Sequence, residues 1–312
     1  MSKSETNTKI SNIQGPILVL GAGGFIGGRL FKMLRSVRDD VYGTFRHKTD
    51  SKHTTSVLLF DDLQQHARAV IEATKPSTIF DCIAYGGYIN QTDVPRIYQT
   101  NVTTKAQLLE LASEYKIAYY HAGSSSEYGD ILDAPLESTP RKPHTHYAVS
   151  KSAASDLIQF FGKYRDLRCC NLRLYAVYGP NEPATDRLIP QVILQGLKGE
   201  YPPFVSPLIT RDFIFVDDVC DAFFCAATRL EPKHYGESFN IGTGYETSIG
   251  HLAELAKYVF GIKHDPVFDM PKRYYDLNGP WRAQPDKAFD VLGWAHTTPL
   301  LSGLRETSGT YV

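Results

Sequence analysis

The sequence predicts an α/β protein, a doubly wound parallel sheet followed by a smaller C-terminal lobe. Three observations carry this reading. Short apolar runs alternate with helical periods between residues 16 and 177, a glycine-rich turn joins the first run to the first amphipathic segment, and prolines replace that rhythm from Tyr178 onward.

Residues 16–20 read as a strand and 27–37 as a helix, in which Leu30, Phe31, Leu34 and Val37 make one apolar face for the sheet. Strands follow at 41–45 and 57–60, a helix at 63–73, a strand at 78–84, a helix at 96–115, a strand at 117–121, a helix at 147–164 and a strand at 168–177. Pro180, Pro183, Pro190, Pro202, Pro203 and Pro207 then punctuate a loop-rich stretch around one helix at 186–198, a composition suited to a substrate lobe. The expected organisation is a disordered polar tail over 1–15, a dinucleotide-binding domain over 16–177 to which 211–241 returns, and a second lobe made of 178–210 and 242–312.

The 312 residues suffice for such an arrangement. With 33 Lys+Arg against 34 Asp+Glu, no global pull toward nucleic acid or an anionic membrane is expected. The longest apolar runs fall far short of the roughly 18–20 residues of a membrane span, and the polar first dozen residues lack the apolar core of a secretion signal. A cytoplasmic protein with no membrane or nucleic-acid partner is expected. Cys82, Cys169, Cys170, Cys220 and Cys225 show no metal-ligand spacing and read as buried thiols in a reducing compartment, with no metal site.

Between the first strand and the first helix the chain reads Gly21-Ala22-Gly23-Gly24-Phe25-Ile26-Gly27. Gly21 allows a tight turn, Gly24 lets backbone N–H groups approach a pyrophosphate, and Gly27 lets helix and strand pack closely. An acidic residue at the end of the second strand would grip the ribose hydroxyls of NAD. The segment there has none, and Arg46, beside His47 and Lys48, suits the 2′-phosphate of NADP, with NAD as the other option. Asp62 is a candidate adenine contact or a helix N-cap.

Tyr147 and Lys151 stand at i and i+4, on one face of a helix. An ammonium there favours the phenolate, which suits Tyr147 to exchange a proton with a sugar hydroxyl or carbonyl. Upstream, the run Ser124-Ser125-Ser126-Glu127-Tyr128-Gly129 follows a strand at the carboxyl edge, where doubly wound sheets bind ligands.

These motifs resemble those of the extended short-chain dehydrogenases, in the nucleotide-sugar epimerase/dehydratase group. The resemblance also takes in Asn101, LRLYAVYGP at 172–180, RDFIFVDDV at 211–219, NIGTG at 240–244 and LGW at 292–294. It implies a Rossmann cofactor domain with a C-terminal sugar-nucleotide lobe, a nucleotide-sugar substrate and a homodimer. Its four-helix contact would use 96–115 and 147–164, although Leu108, Leu109, Leu111, Leu157, Ile158 and Phe161 can instead face the sheet. The resemblance makes Tyr147 the acid/base, Lys151 its electrostatic partner and ribose contact, and Ser125 the hydroxyl on the substrate oxygen. Because the loop is one residue shorter than usual, Ser124 and Ser126 compete with Ser125 for that role. Further cofactor contacts are implied at Phe25, Ile26, Leu63 and Ala84, and substrate contacts at Ser126, Arg211 and Arg273, the arginines on the diphosphate. Ala176 stands in place of the usual Asn, Cys82 in place of the usual His, and Gly86-Gly87-Tyr88 is an unusual loop beside the sugar.

The implied reaction is hydride transfer at hexose C4 through a 4-keto sugar. Glu127 points to dehydration as an extra catalytic group, while Arg46 and the short lobe fit an NADPH-dependent 4-keto reductase equally well. A non-catalytic NADP-binding scaffold or sensor is the alternative of another class.

Overall fold

A computed structural model describes residues 3–46, 57–59, 63–130, 134–182, 187–271 and 281–311. The strands are β1 (Ile17–Leu20), β2 (Val41–Phe45), β3 (Val57–Leu59), β4 (Thr78–Asp81), β5 (Ala118–Ser124), β6 (Cys169–Leu174), β7 (Ala176–Tyr178), β8 (Thr210–Arg211), β9 (Phe213–Phe215), β10 (Ser238–Ile241) and β11 (Thr247–Ser248). Seven of them form one parallel sheet in the order β3-β2-β1-β4-β5-β6-β10. The order reverses between β1 and β4, which opens a crevice at the carboxyl ends of the strands.

The helices are α1 (Lys3–Ser11), α2 (Phe25–Arg35), α3 (Leu63–Thr74), α4 (Val94–Tyr98), α5 (Thr104–Glu114), α6 (His146–Arg165), α7 (Leu188–Gly196), α8 (Val216–Arg229), α9 (Ile249–Phe260), α10 (Asp286–Leu292) and α11 (Leu300–Ser308). Leu30, Phe31 and Leu34 of α2 share a core with Phe223 and Phe224 of α8, while α3, α5 and α6 bury Val70, Leu108 and Ile158 in a second core. Because both faces are covered, β1, β4 and β6 are buried along their whole length. A third cluster, around Ile193, Phe204 and Leu252, holds α7, α9 and α11 together.

Three elements differ from the expectation. Residues 3–11 form a helix, not a disordered tail, because Ile10 and Ile13 bury themselves in the first core and Lys9 Nζ lies 2.7 Å from Asp221 of α8. The expected strand 168–177 breaks at Tyr175, and β7 leaves the main sheet to pair with β9. The expected helix 96–115 is interrupted by a π-turn, Gln99–Thr103, a distortion frequent at functional sites.

Candidate active site

The first wall of the crevice is the glycine turn. Gly21 has φ +80°, open to glycine at little cost, and its N–H donates to Thr44 Oγ1 at 2.9 Å, which ties the turn to β2. A side chain at Gly27 would place its Cβ 2.3 Å from the Gly21 carbonyl oxygen, so only glycine lets α2 come this close to β1. Gly24 caps α2 without any side-chain hydrogen bond. The first N–H groups of α2, including those of Phe25 and Ile26, are therefore open to an anion, as a pyrophosphate requires. The cradle fits the phosphates of a dinucleotide.

Arg46 follows β2 directly and is exposed, whereas Phe45 is buried and packs its ring against Gly23. Ala84, just past β4, is exposed at the same edge, and Leu63 opens α3. His47, Lys48, Asp62 and Arg273 lie outside the described residues.

Helix α6 forms the floor. Thr145 caps it by accepting from the Ala148 N–H, which starts the helix at His146, one residue before Tyr147. Tyr147 is half-buried, and Ser124 stands near enough to its phenol to influence its titration. Burial raises the Tyr147 pKa, while Ser124 and the positive charge of Arg187 pull against that rise. Ser124 is the last residue of β5. Ser125 is buried and Ser126 pairs its hydroxyl with that of Ser124 at 2.8 Å.

Glu127 faces inward. Its side chain is fully buried and closes a capping box with the Ser124 N–H at 3.1 Å. Its other bonds come from Ser155 Oγ at 2.5 Å, Arg173 Nε at 2.9 Å and Asn171 Nδ2 at 3.3 Å. Four protein donors thus reach the two carboxylate oxygens, two to each.

Lys151 is also buried, one turn behind Tyr147, and donates to Ala122 O at 2.5 Å and to His121 Nε2 at 2.9 Å. Desolvation lowers its pKa to about 8. Across the π-turn, Asn101 bonds both the N–H and the carbonyl of Tyr85, at 2.9 and 2.7 Å, and donates to Ser150 Oγ at 2.9 Å. That clamp holds the loop after β4 against α6. Gly87 sits over the phenol, where an added Cβ would lie 3.7 Å from the Tyr147 hydroxyl.

On the opposite wall, Arg211 ends β8 and is half-buried. The buried carboxylate of Asp212 organises its neighbourhood, accepting from the N–H groups of Thr243, Gly244 and Ala283 at 2.8–2.9 Å. Arg187 was not singled out from sequence. It precedes α7, lies over the Tyr88 ring at 5.7 Å and pairs with Glu182 at 2.9 Å. The available signal was a basic residue opening an apolar helix within a loop-rich stretch. His121 and Asp81 were not singled out from sequence either, though Asp81 is the one acidic residue of β4 and His121 the one basic residue of β5.

No group of ligands suited to a metal ion occurs among the described residues, and no described helix is long and apolar enough to cross a membrane. The five cysteines are free.

Comparison with known proteins matches residues 17–242 to the NAD dependent epimerase/dehydratase family. The UDP-glucose 4-epimerase of Mycolicibacterium smegmatis is 29% identical over 309 residues, covering 93% of this chain and 96% of the relative. The dTDP-glucose 4,6-dehydratase of Neisseria gonorrhoeae is 25% identical, with 95% of each chain covered. Among solved structures, MoeE5 in complex with UDP-glucose and NAD superposes with a TM-score of 0.83 at 27% identity, covering 95% of this chain and 98% of that one.

Proposed function

Since the chain belongs to the NAD dependent epimerase/dehydratase family, whose members act on nucleotide sugars, we propose that it is a 4-epimerase of a nucleotide-linked hexose. The carrying observation is the asymmetry of the two acidic candidates at the site. Tyr147 is half-buried with Ser124 close to its phenol, while Glu127 is fully buried and paired with Arg173. This supports Tyr147 as the proton carrier at C4 and argues against Glu127 as the extra base that elimination of water needs.

In this reading Ser124 and Tyr147 hold the C4 oxygen, and Tyr147 takes its proton as the 4-keto sugar forms and returns it on reduction. A bound nicotinamide supplies the hydride acceptor and donor. Lys151 sets the charge behind Tyr147, and Arg211, Arg273 and Arg187 hold the diphosphate, Arg187 compensating for Ala176. Incubation with a panel of UDP- and dTDP-hexoses, read by NMR, tests this. Interconversion of C4 epimers without added cofactor supports it, and a 4-keto-6-deoxy product overturns it in favour of dehydration.

Arg46 supports a preference for NADP(H), although the family is NAD-dependent and MoeE5 was solved with NAD. Tighter binding of NAD(H) by tenfold, about 1.4 kcal/mol, would remove that preference. A homodimer through α5 and α6 is also proposed. Of the apolar residues expected to choose between dimer and core, Leu108, Leu109, Leu111, Ile158 and Phe161 are buried in the second core, and Leu157 is partly buried against it. Exposed Phe160 and Tyr164 of α6 remain for a partner, and sedimentation of a monomer alone at micromolar concentration would count against it.

A further inference from the structure

Behind Lys151 lies a buried chain of polar groups that the reaction just described does not use. Asp81 ends β4, and its register partner across the ladder to β5 is His121. His121 Nδ1 lies 2.8 Å from Asp81 Oδ2, and His121 Nε2 lies 2.9 Å from Lys151 Nζ. Asp81 also accepts from Lys105 Nζ of α5 at 2.6 Å, from Tyr119 OH at 2.6 Å and from the Ile83 N–H at 3.1 Å. Asp81, Lys105, Tyr119, His121 and Lys151 are all buried.

The chemistry of the donors settles the proton positions. A carboxylate with three other donors is ionised, so His121 Nδ1 carries the proton and donates it to Asp81. His121 Nε2 is then an acceptor, and the only proton available to that bond is one of the Lys151 ammonium. Of the three ammonium protons, His121 takes one and Ala122 O takes another, so tetrahedral geometry aims the third. Asp81 keeps Lys105, Tyr119 and Ile83 without His121, whereas Lys151 would keep a single carbonyl. The residue that depends on His121 is therefore Lys151.

We propose that His121, oriented by Asp81, is a positioning residue that fixes the Lys151 ammonium in its charged form and aims its free proton into the cleft beside Tyr147. The proposal rests on the reading of Tyr147 and Lys151 as the working pair. The charged and titratable groups around this chain are Asp81 from β4 and Cys82 just after it, Lys105 from α5, Tyr119 from β5, Glu127 from the turn after β5 and Tyr147 from α6. Asp81 and Glu127 both favour the Lys151 cation, and Lys105 opposes it. His121 stays neutral in this company, its pKa lowered to about 4, chiefly by burial.

Two substitutions of similar polarity separate positioning from mere packing. In His121→Asn the amide reaches Asp81 in place of Nδ1 but not Lys151. In His121→Gln the amide oxygen stands near Nε2 and accepts from Lys151. Single-turnover reduction of bound nicotinamide by the nucleotide sugar that turns over, followed against pH, is expected to slow at least about tenfold in His121→Asn, with its rise displaced to higher pH, and to recover most of its rate in His121→Gln. Full rate with an unmoved profile in His121→Asn, or rescue by Asn and not by Gln, overturns the proposal. Tyr147→Phe run alongside separates the two failures. Retained transfer there overturns the site reading together with the proposal, while lost transfer there with His121→Asn unaffected overturns the proposal alone. Should neither variant fold, ¹⁵N NMR of the wild-type protein without ligand decides. A His121 ring protonated at Nδ1 and bare at Nε2 is expected, and the opposite tautomer overturns it.

Discussion

Two buried carboxylates, Asp81 and Glu127, flank Lys151, and they resemble each other in nearly every respect. Each is fully buried, each is paired with a cation, Lys105 in one case and Arg173 in the other, and each accepts from a backbone N–H, of Ile83 or of Ser124. They differ in where their last hydrogen bonds lead. Those of Glu127 end on Ser155 and Asn171, a closed set that ties β5, α6 and β6 together. Those of Asp81 continue through His121 to Lys151. A buried ion pair is weak evidence for stability and none for function by itself. What the network reaches distinguishes the two: Asp81 is linked through side chains to Lys151 by way of His121, whereas Glu127 meets Ser124 at its backbone N–H alone.

The largest effect expected belongs to the residue both clusters serve. Tyr147→Phe should lower turnover by about a thousandfold, within the usual range for losing a general acid–base group, while calorimetry finds cofactor binding retained. Next comes Asp81→Asn, which leaves Lys105 uncompensated and should cost about 3–5 kcal/mol in denaturant unfolding. The folded fraction should also transfer hydride more slowly, and normal transfer would erase the contrast with Glu127.

Glu127→Gln sharpens the same contrast from the other side. It should cost about 2–3 kcal/mol, since Arg173 keeps Tyr128 OH at 2.8 Å and Glu137 O at 3.1 Å after losing the carboxylate. Turnover per folded molecule should stay near wild type. Accumulation of a 4-keto hexose in this variant would instead restore Glu127 to catalysis and the reaction to dehydration.

The acid limb of stability gives a comparable but more gradual effect. His121 is neutral in the fold with a pKa near about 4, against 6.5 for the free side chain. Between these values the unfolded chain binds the proton and the folded chain does not, so stability falls as pH drops from about 6.5 to about 4, by about 3 kcal/mol in all. In His121→Gln that slope should be shallower by about one proton. An unchanged slope would mean that His121 is not the group responsible. The smallest effect expected is at Arg46. Its replacement by Ala should weaken NADP(H) about tenfold and leave NAD(H) unchanged, as titration of both cofactors would show.

Much of the fold and part of the site were legible in the chain. Leu30, Phe31 and Leu34 announced the buried face of α2 because helical spacing is a local property, and Gly21 and Gly27 announced the turn because a positive φ and a 2.3 Å approach admit little else. The 3–11 helix escaped notice because its anchors are few, Ile10 and Ile13 in the first core and Lys9 on Asp221 of α8, which lies some two hundred positions away. Arg187 escaped for the same reason, since its nearness to Tyr147 is a property of how α7 meets the cleft.

By itself the sequence determined the parallel α/β order, the phosphate cradle and the placement of Tyr147 and Lys151 on one helix face, because each is written in spacings of a few residues. Only the tertiary structure decided that Ser124 comes near the phenol, that Glu127 turns inward to Arg173, and that Asp81 reaches Lys151 through His121. These outcomes depend on the register of β4 against β5 and on the approach of α5 and α6 to their ends. Burial obliges every ionised group there to find a partner, and which partner it finds is fixed by neighbours distant in the chain.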